Sequence, residues 1–143
     1  MSEIQRLGES RRWSDVVIHQ GVARWVEVAE DPSQDARSQT EQVLQQINAT
    51  LISIGSGREQ LLQVLIYLHD LADAPALNAA WDAWVPAGHA PVRACVQAGL
   101  AAGYRVEMVI TAAVSKSGLA YARISRTTRP YTSVSRKSRP AWR

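Results

Sequence analysis

A chain of 143 residues with 46% hydrophobic and 20% charged positions is long enough for one domain with a real core and short for two. No apolar run approaches the roughly 20 residues of a membrane-spanning helix, residues 1 to 12 lack the apolar centre of a secretory signal, and the single Cys95 excludes an internal disulfide, so a soluble cytoplasmic protein is expected. The net charge of +3 hides a division: residues 1 to 115 hold all thirteen acids against eight arginines, and residues 116 to 143 hold eight cations and no acid.

In chain order, Asp15-Val16-Val17-Ile18-His19 and Val22 to Val28 are β-rich runs separated by Gln20-Gly21, a two-residue hairpin signal. Ser33 or Asp35 can cap a following helix whose Val43, Leu44, Ile47, Leu51 and Ile54 recur at spacings of three and four, with Gly55 and Gly57 ending it. Leu61 to Leu68 is apolar at both parities, Leu62, Val64, Ile66 and Leu68 against Leu61, Leu65 and Tyr67, and suits the middle strand of a sheet covered on both sides. Asp73 precedes a second helix that places Leu77, Trp81 and Trp84 on one face, and Pro86 to Pro91 breaks it. Two further strands follow. The order ββαβαββ predicts an α+β fold in which two helices cover one face of the sheet, and self-association is the economical cover for the other. Beyond Ser115 the Ser/Thr/Arg/Pro-rich segment has no sustained periodicity, so residues 116 to 143 read as a disordered basic tail.

The last two strands carry the candidate chemistry. Alternation puts Val92, Ala94 and Val96 on one side of the first and Arg93, Cys95 and Gln97 on the other. It puts Tyr104, Val106, Met108 and Ile110 on one side of the second, with Arg105 and Glu107 opposite. Taken as neighbours, the two strands project Arg93 and Glu107 onto one polar side, where the arginine holds a carboxylate and the glutamate positions a water. From the residues alone, a cross-strand surface ion pair is the readier description, since such pairs are common and contribute little. His19, His69 and His89 lack metal-ligand spacing, so no metal is implied, and Gly55-Ser56-Gly57 lacks the lysine of a phosphate loop. Trp81 and Trp84 read as core. The tail's cations and scattered aromatics offer non-specific contact with nucleic acid, and no membrane partner is expected.

Several stretches are familiar together. Arg12-Trp13-Ser14-Asp15-Val16-Val17-Ile18-His19, Gln39-Thr40, Asn78-Ala79-Ala80-Trp81-Asp82-Ala83-Trp84 and Gly88-His89-Ala90-Pro91-Val92-Arg93-Ala94-Cys95-Val96-Gln97-Ala98-Gly99-Leu100 resemble the RidA/YjgF family, in its YoaB-like branch. The resemblance covers the domain read at 12 to 115 and leaves out the tail. It implies a chorismate-mutase-like ββαβαββ protomer, a homotrimer with clefts between subunits, and cofactor-free hydrolysis of reactive enamines and imines of the 2-aminoacrylate/2-iminopropanoate type to a 2-keto acid and ammonia. By the same resemblance Arg93 binds the substrate carboxylate, Glu107 handles the water, and the backbone N–H of Cys95 contacts the ligand. Trp13 stands where the family has a cleft tyrosine, as it does in the YoaB-like branch. The family's hydroxyl residue followed by glycine near the end of the second strand is Val26-Glu27 here, an acid expected to crowd the cleft. That departure favours the alternative, a non-catalytic trimeric ligand-binding or regulatory protein on the same scaffold.

Overall fold

The computed structural model describes residues 3–115, so the basic tail lies outside it. Six strands and two helices follow one another as β1 (Gln5–Leu7), β2 (Val16–His19), β3 (Val22–Val28), α1 (Ala36–Ser53), β4 (Leu61–Leu68), α2 (Ala74–Trp84), β5 (Val92–Gln97) and β6 (Val106–Ala113). The sheet order is β1-β2-β3-β6-β4-β5, antiparallel except for the parallel β4–β5 pair. Two helices back a mixed sheet, as expected. β1 is an addition to the expected order: only three residues long, it has no periodicity of its own and exists by pairing with β2, Gln5 opposite Ile18 and Leu7 opposite Val16.

Local chemistry explains the boundaries. Gln20 (φ 52°) and Gly21 (φ 77°) both take positive φ, the backbone of the tight turn whose twist matches two right-twisted strands. Of the two candidate caps for α1 it is Asp35 that accepts from Ser38 N–H. The helix ends in a Schellman motif: Ser56 N–H donates to Leu51 O at 2.8 Å and Gly55 N–H to Ile52 O at 3.0 Å, with Gly55 at φ 71°. The α1 residues Val43, Leu44, Ile47 and Leu51, and Ile54 just beyond, are all buried against Trp25, Val64, Ile66, Met108 and Ile110 in one core.

Two expectations about β4 fail. It is fifth of six strands, not the middle, because β6 returns between β3 and β4 and takes the central place with β3. A bulge between Leu61 and Gln63 also breaks the alternation, so Leu61 is buried opposite Ala112 while Leu62 is exposed and does not share the face of Val64. The helix-free face carries an apolar row across four strands, Val26, Val109, Leu65 and Ala94, aligned by the register. Below it runs Val28, Glu107, Tyr67 and Val96. Val92 is 67% exposed and Val96 46% on the same face. Apart from the buried Val28, the side chains of these two rows stand at least partly open among the described residues.

One corner is cross-braced. Gln39, fully buried in the first turns of α1, places Nε2 within 2.8–3.0 Å of the carbonyls of Pro32, Gln34 and Gly103, and its Oε1 accepts from Arg105 N–H at 2.9 Å. Asp73 stands at the N-cap of α2, but its side chain makes no capping hydrogen bond. Its carboxylate instead receives Nε and Nη2 of Arg105 at 2.7–3.0 Å, tying the start of α2 to the start of β6.

Candidate functional site

β5 occupies one end of the sheet, which leaves one of its edges free. Ala98 N–H donates to Leu68 O on β4 at 2.9 Å. Since backbone N–H groups alternate in direction along a strand, those of Ala94 and Val96 also face β4, and those of Arg93, Cys95 and Gln97 point away along the open edge. An outward N–H at Cys95 is what the resemblance asks of that residue.

The register assigns the side chains. Val64 pairs with Arg93 and Ile66 with Cys95, so both share the helix-covered face with two fully buried core residues. Arg93 is nonetheless exposed, because it sits on the last strand where the helical layer ends. Its Nη1 donates to Asn78 Oδ1 on α2 at 2.9 Å, and its guanidinium carbon lies 5.4 Å from the centroid of the Trp81 ring. Trp81 is core, as read from its spacing, and also lends Arg93 a π face. Arg93 is in neither of the ion pairs Arg37–Glu41 and Arg105–Asp73, and among the described residues its hydrogen-bond partner is an amide, not a carboxylate.

Glu107 is elsewhere. It pairs with Tyr67 on one side and Val28 on the other, and projects from the helix-free face. β5 and β6 are separated by β4. The expectation of adjacent strands presenting Arg93 and Glu107 on one side is therefore wrong within the protomer, and so is the cross-strand ion pair. Alternation along each strand was read correctly; spatial order and the choice of sheet face depend on long-range pairing that the chain order conceals. Trp13, half-buried just before β2, lies toward the opposite end of the sheet, roughly 19 Å from β5 at four strand spacings. A single copy brings together Arg93 and the Cys95 edge, but neither Glu107 nor Trp13.

Two details bear on chemistry. Burial pushes the Cys95 thiol up from its ordinary value, with the Arg93 charge pulling the other way, so the sulfur is a poor nucleophile at neutral pH. Glu27 is only 1% exposed and points under α1, where Gln46 Nε2 donates to its Oε2 at 3.0 Å and Thr50 Oγ1 to its Oε1 at 3.3 Å. An acid sequestered in the helix–sheet layer crowds no open cleft, contrary to the expectation for Val26-Glu27; the neighbouring side chain on the helix-free face is that of Val26. Sequence reasoning missed Asn78 as a partner of Arg93. The signal was its spacing of three from Trp81, which places both on one face of α2.

A separate groove between the two helices, of about 470 Å³ and lined by Arg37, Glu41, Arg58 and Trp84 among others, contains none of the expected site residues. No helix among the described residues is long and apolar enough to cross a membrane.

The helix-backed mixed sheet with its open edge defines an α+β protein of the kind gathered under the family description Endoribonuclease L-PSP, whose model matches residues 4–114. The RutC family protein YoaB of Escherichia coli (strain K12) is 49% identical over 112 residues, covering 78% of this chain and 98% of the relative. A RutC family protein of Haemophilus influenzae is 40% identical over 112 residues, covering 76% and 97%. Crystal structures agree: a YjgF family member from Neisseria meningitidis matches with a TM-score of 0.75 at 40% identity, covering 80% of this chain and 97% of that one, and a Pseudomonas aeruginosa protein with 0.76 at 40% identity, covering 79% and 100%. The chain belongs to the RidA/YjgF family, in its YoaB-like branch.

Proposed function

We propose that the protein hydrolyses small, carboxylate-bearing enamines and imines of the 2-aminoacrylate/2-iminopropanoate type to a 2-keto acid and ammonia. The observation that carries the reading is an exposed Arg93 on an open sheet edge, oriented among the described residues by an amide and an indole, not a carboxylate. A guanidinium fork matches a substrate carboxylate bidentately, and the outward N–H of Cys95 adds a donor on the same edge.

The acid comes from another copy. Arg93 and Glu107 occupy opposite faces of one sheet, so a site containing both is built where the β5 edge of one subunit meets the helix-free face of the next, in a homotrimer. The uncovered row of Val26, Val109, Leu65 and Ala94 supports association through that face. In the cleft Glu107 takes a proton from water as the oxygen adds to the C=N carbon. The resulting carbinolamine expels ammonia once its nitrogen is protonated, and the C=O of the keto acid forms. Positioning supplies most of the catalysis because the imine is already electrophilic. Trp13 from the neighbouring subunit walls the cleft, and the chemistry draws on no cofactor.

A second reading, a non-catalytic trimeric ligand-binding or regulatory protein, is favoured by Val26, which offers no hydroxyl on the face that carries Glu107. One assay separates them: 2-iminopropanoate is generated in situ and its loss followed with and without protein. Accelerated loss, absent in Arg93→Ala, is expected; an unchanged rate at micromolar protein excludes deamination of that substrate.

A further inference from the structure

We infer that Asn78 is a positioning residue, whose neutral amide holds the Arg93 guanidinium for a substrate carboxylate without neutralising it; the inference rests on the deaminase reading for the identity of the ligand. Asn78 and Trp81 stand one turn apart on α2 and meet the same guanidinium, one by a 2.9 Å hydrogen bond to Nη1, the other by its ring face at 5.4 Å. A long exposed arginine otherwise samples many rotamers, and ordering it at the moment of binding weakens affinity. Here the ordering is done beforehand.

The chemistry of the holder matters as much as its place. An amide oxygen accepts one of the five guanidinium N–H groups and carries no formal charge, so the Nε–Nη2 edge and the full positive charge remain for an incoming fork. The indole face attracts the cation and shields one side of its plane from water. A carboxylate at position 78 would do the opposite, as Asp73 does to Arg105: it would occupy the fork at 2.7–3.0 Å and compete with any external anion. Arg93 is oriented by two groups, and neither is charged.

The test compares N78A with N78D, which differ in charge while both remove the amide. Affinity for 2-oxobutanoate, measured by calorimetry on the full chain, is expected to fall about threefold in N78A and at least about tenfold in N78D, with the urea midpoint of both near that of the parent. N78D binding as tightly as the parent, or both variants losing equally, overturns the inference. Failure of the deaminase reading shows differently, as 2-oxobutanoate binding that R93A leaves intact. The cradle is then read without ligand from the Arg93 Nε–Hε resonance, identified by its loss in R93K. A distinct signal in the parent that averages in N78A supports it, and a signal already averaged in the parent overturns it.

Discussion

Two regions of this molecule hold an arginine against α2, and they do so by opposite means. At the braced corner Arg105 is spent on Asp73 and on the Gln39 network, where each buried polar group has a protein partner. At the β5 edge Arg93 meets an amide and an indole, and its N–H neighbours along the strand face outward. The corner uses its polar groups to fix the chain; the edge keeps its polar groups available. Family resemblance marks both, since Gln39 is among the matching residues as surely as Arg93, and the geometry separates the two.

The contrast can be broken from either side. The largest loss of stability is expected at the corner: Gln39→Ala removes four hydrogen-bond contacts of a fully buried side chain and leaves part-buried carbonyls and the Arg105 N–H without it, lowering unfolding free energy by about 3 kcal/mol in urea titrations. Arg93→Ala should do the reverse, cutting turnover or keto-acid binding by about 100-fold or more with the urea midpoint unchanged, and Arg93→Lys should restore little because the bidentate fork is lost. Glu107→Gln sharpens the division of labour: turnover falls about as far, while keto-acid binding persists. Arg105→Ala should cost about 1 kcal/mol of stability and leave binding at the edge untouched, the pair being bidentate but partly exposed.

The smallest effect concerns Cys95. Its thiol is pushed up by burial, so the neutral form is favoured in the folded protein. The resulting stabilisation is present below the ordinary thiol value and is lost as the pH rises through the raised one. Alkylation by iodoacetamide at pH 7.5 should be slower in the native protein than in the urea-unfolded chain. Equal rates would contradict the burial.

Much of the fold was legible. The Gln20-Gly21 turn, the α1 stripe ending at Gly55, and the faces of β5 and β6 all follow from short-range rules. What was not legible is long-range. Three residues of β1 carry no periodic signal, the bulge at Leu61–Gln63 arises from pairing with β6, and the register on β4, Val64 with Arg93 and Tyr67 with Glu107, puts those two side chains on opposite faces. Period-two alternation says which side chains travel together, but not which layer they enter. The expected crowding by Glu27 failed for the same reason, since its parity with Trp25 takes it beneath α1.

If the cleft is shared between copies as proposed, the separation of Arg93 from Glu107 has a thermodynamic consequence. Ligand binding and assembly then become linked equilibria: each occupied cleft draws subunits together, and each dissociation halts binding at half a site. Apparent affinity for a keto acid should strengthen with protein concentration until assembly saturates, and the melting temperature should rise with ligand more steeply in dilute solution than in concentrated.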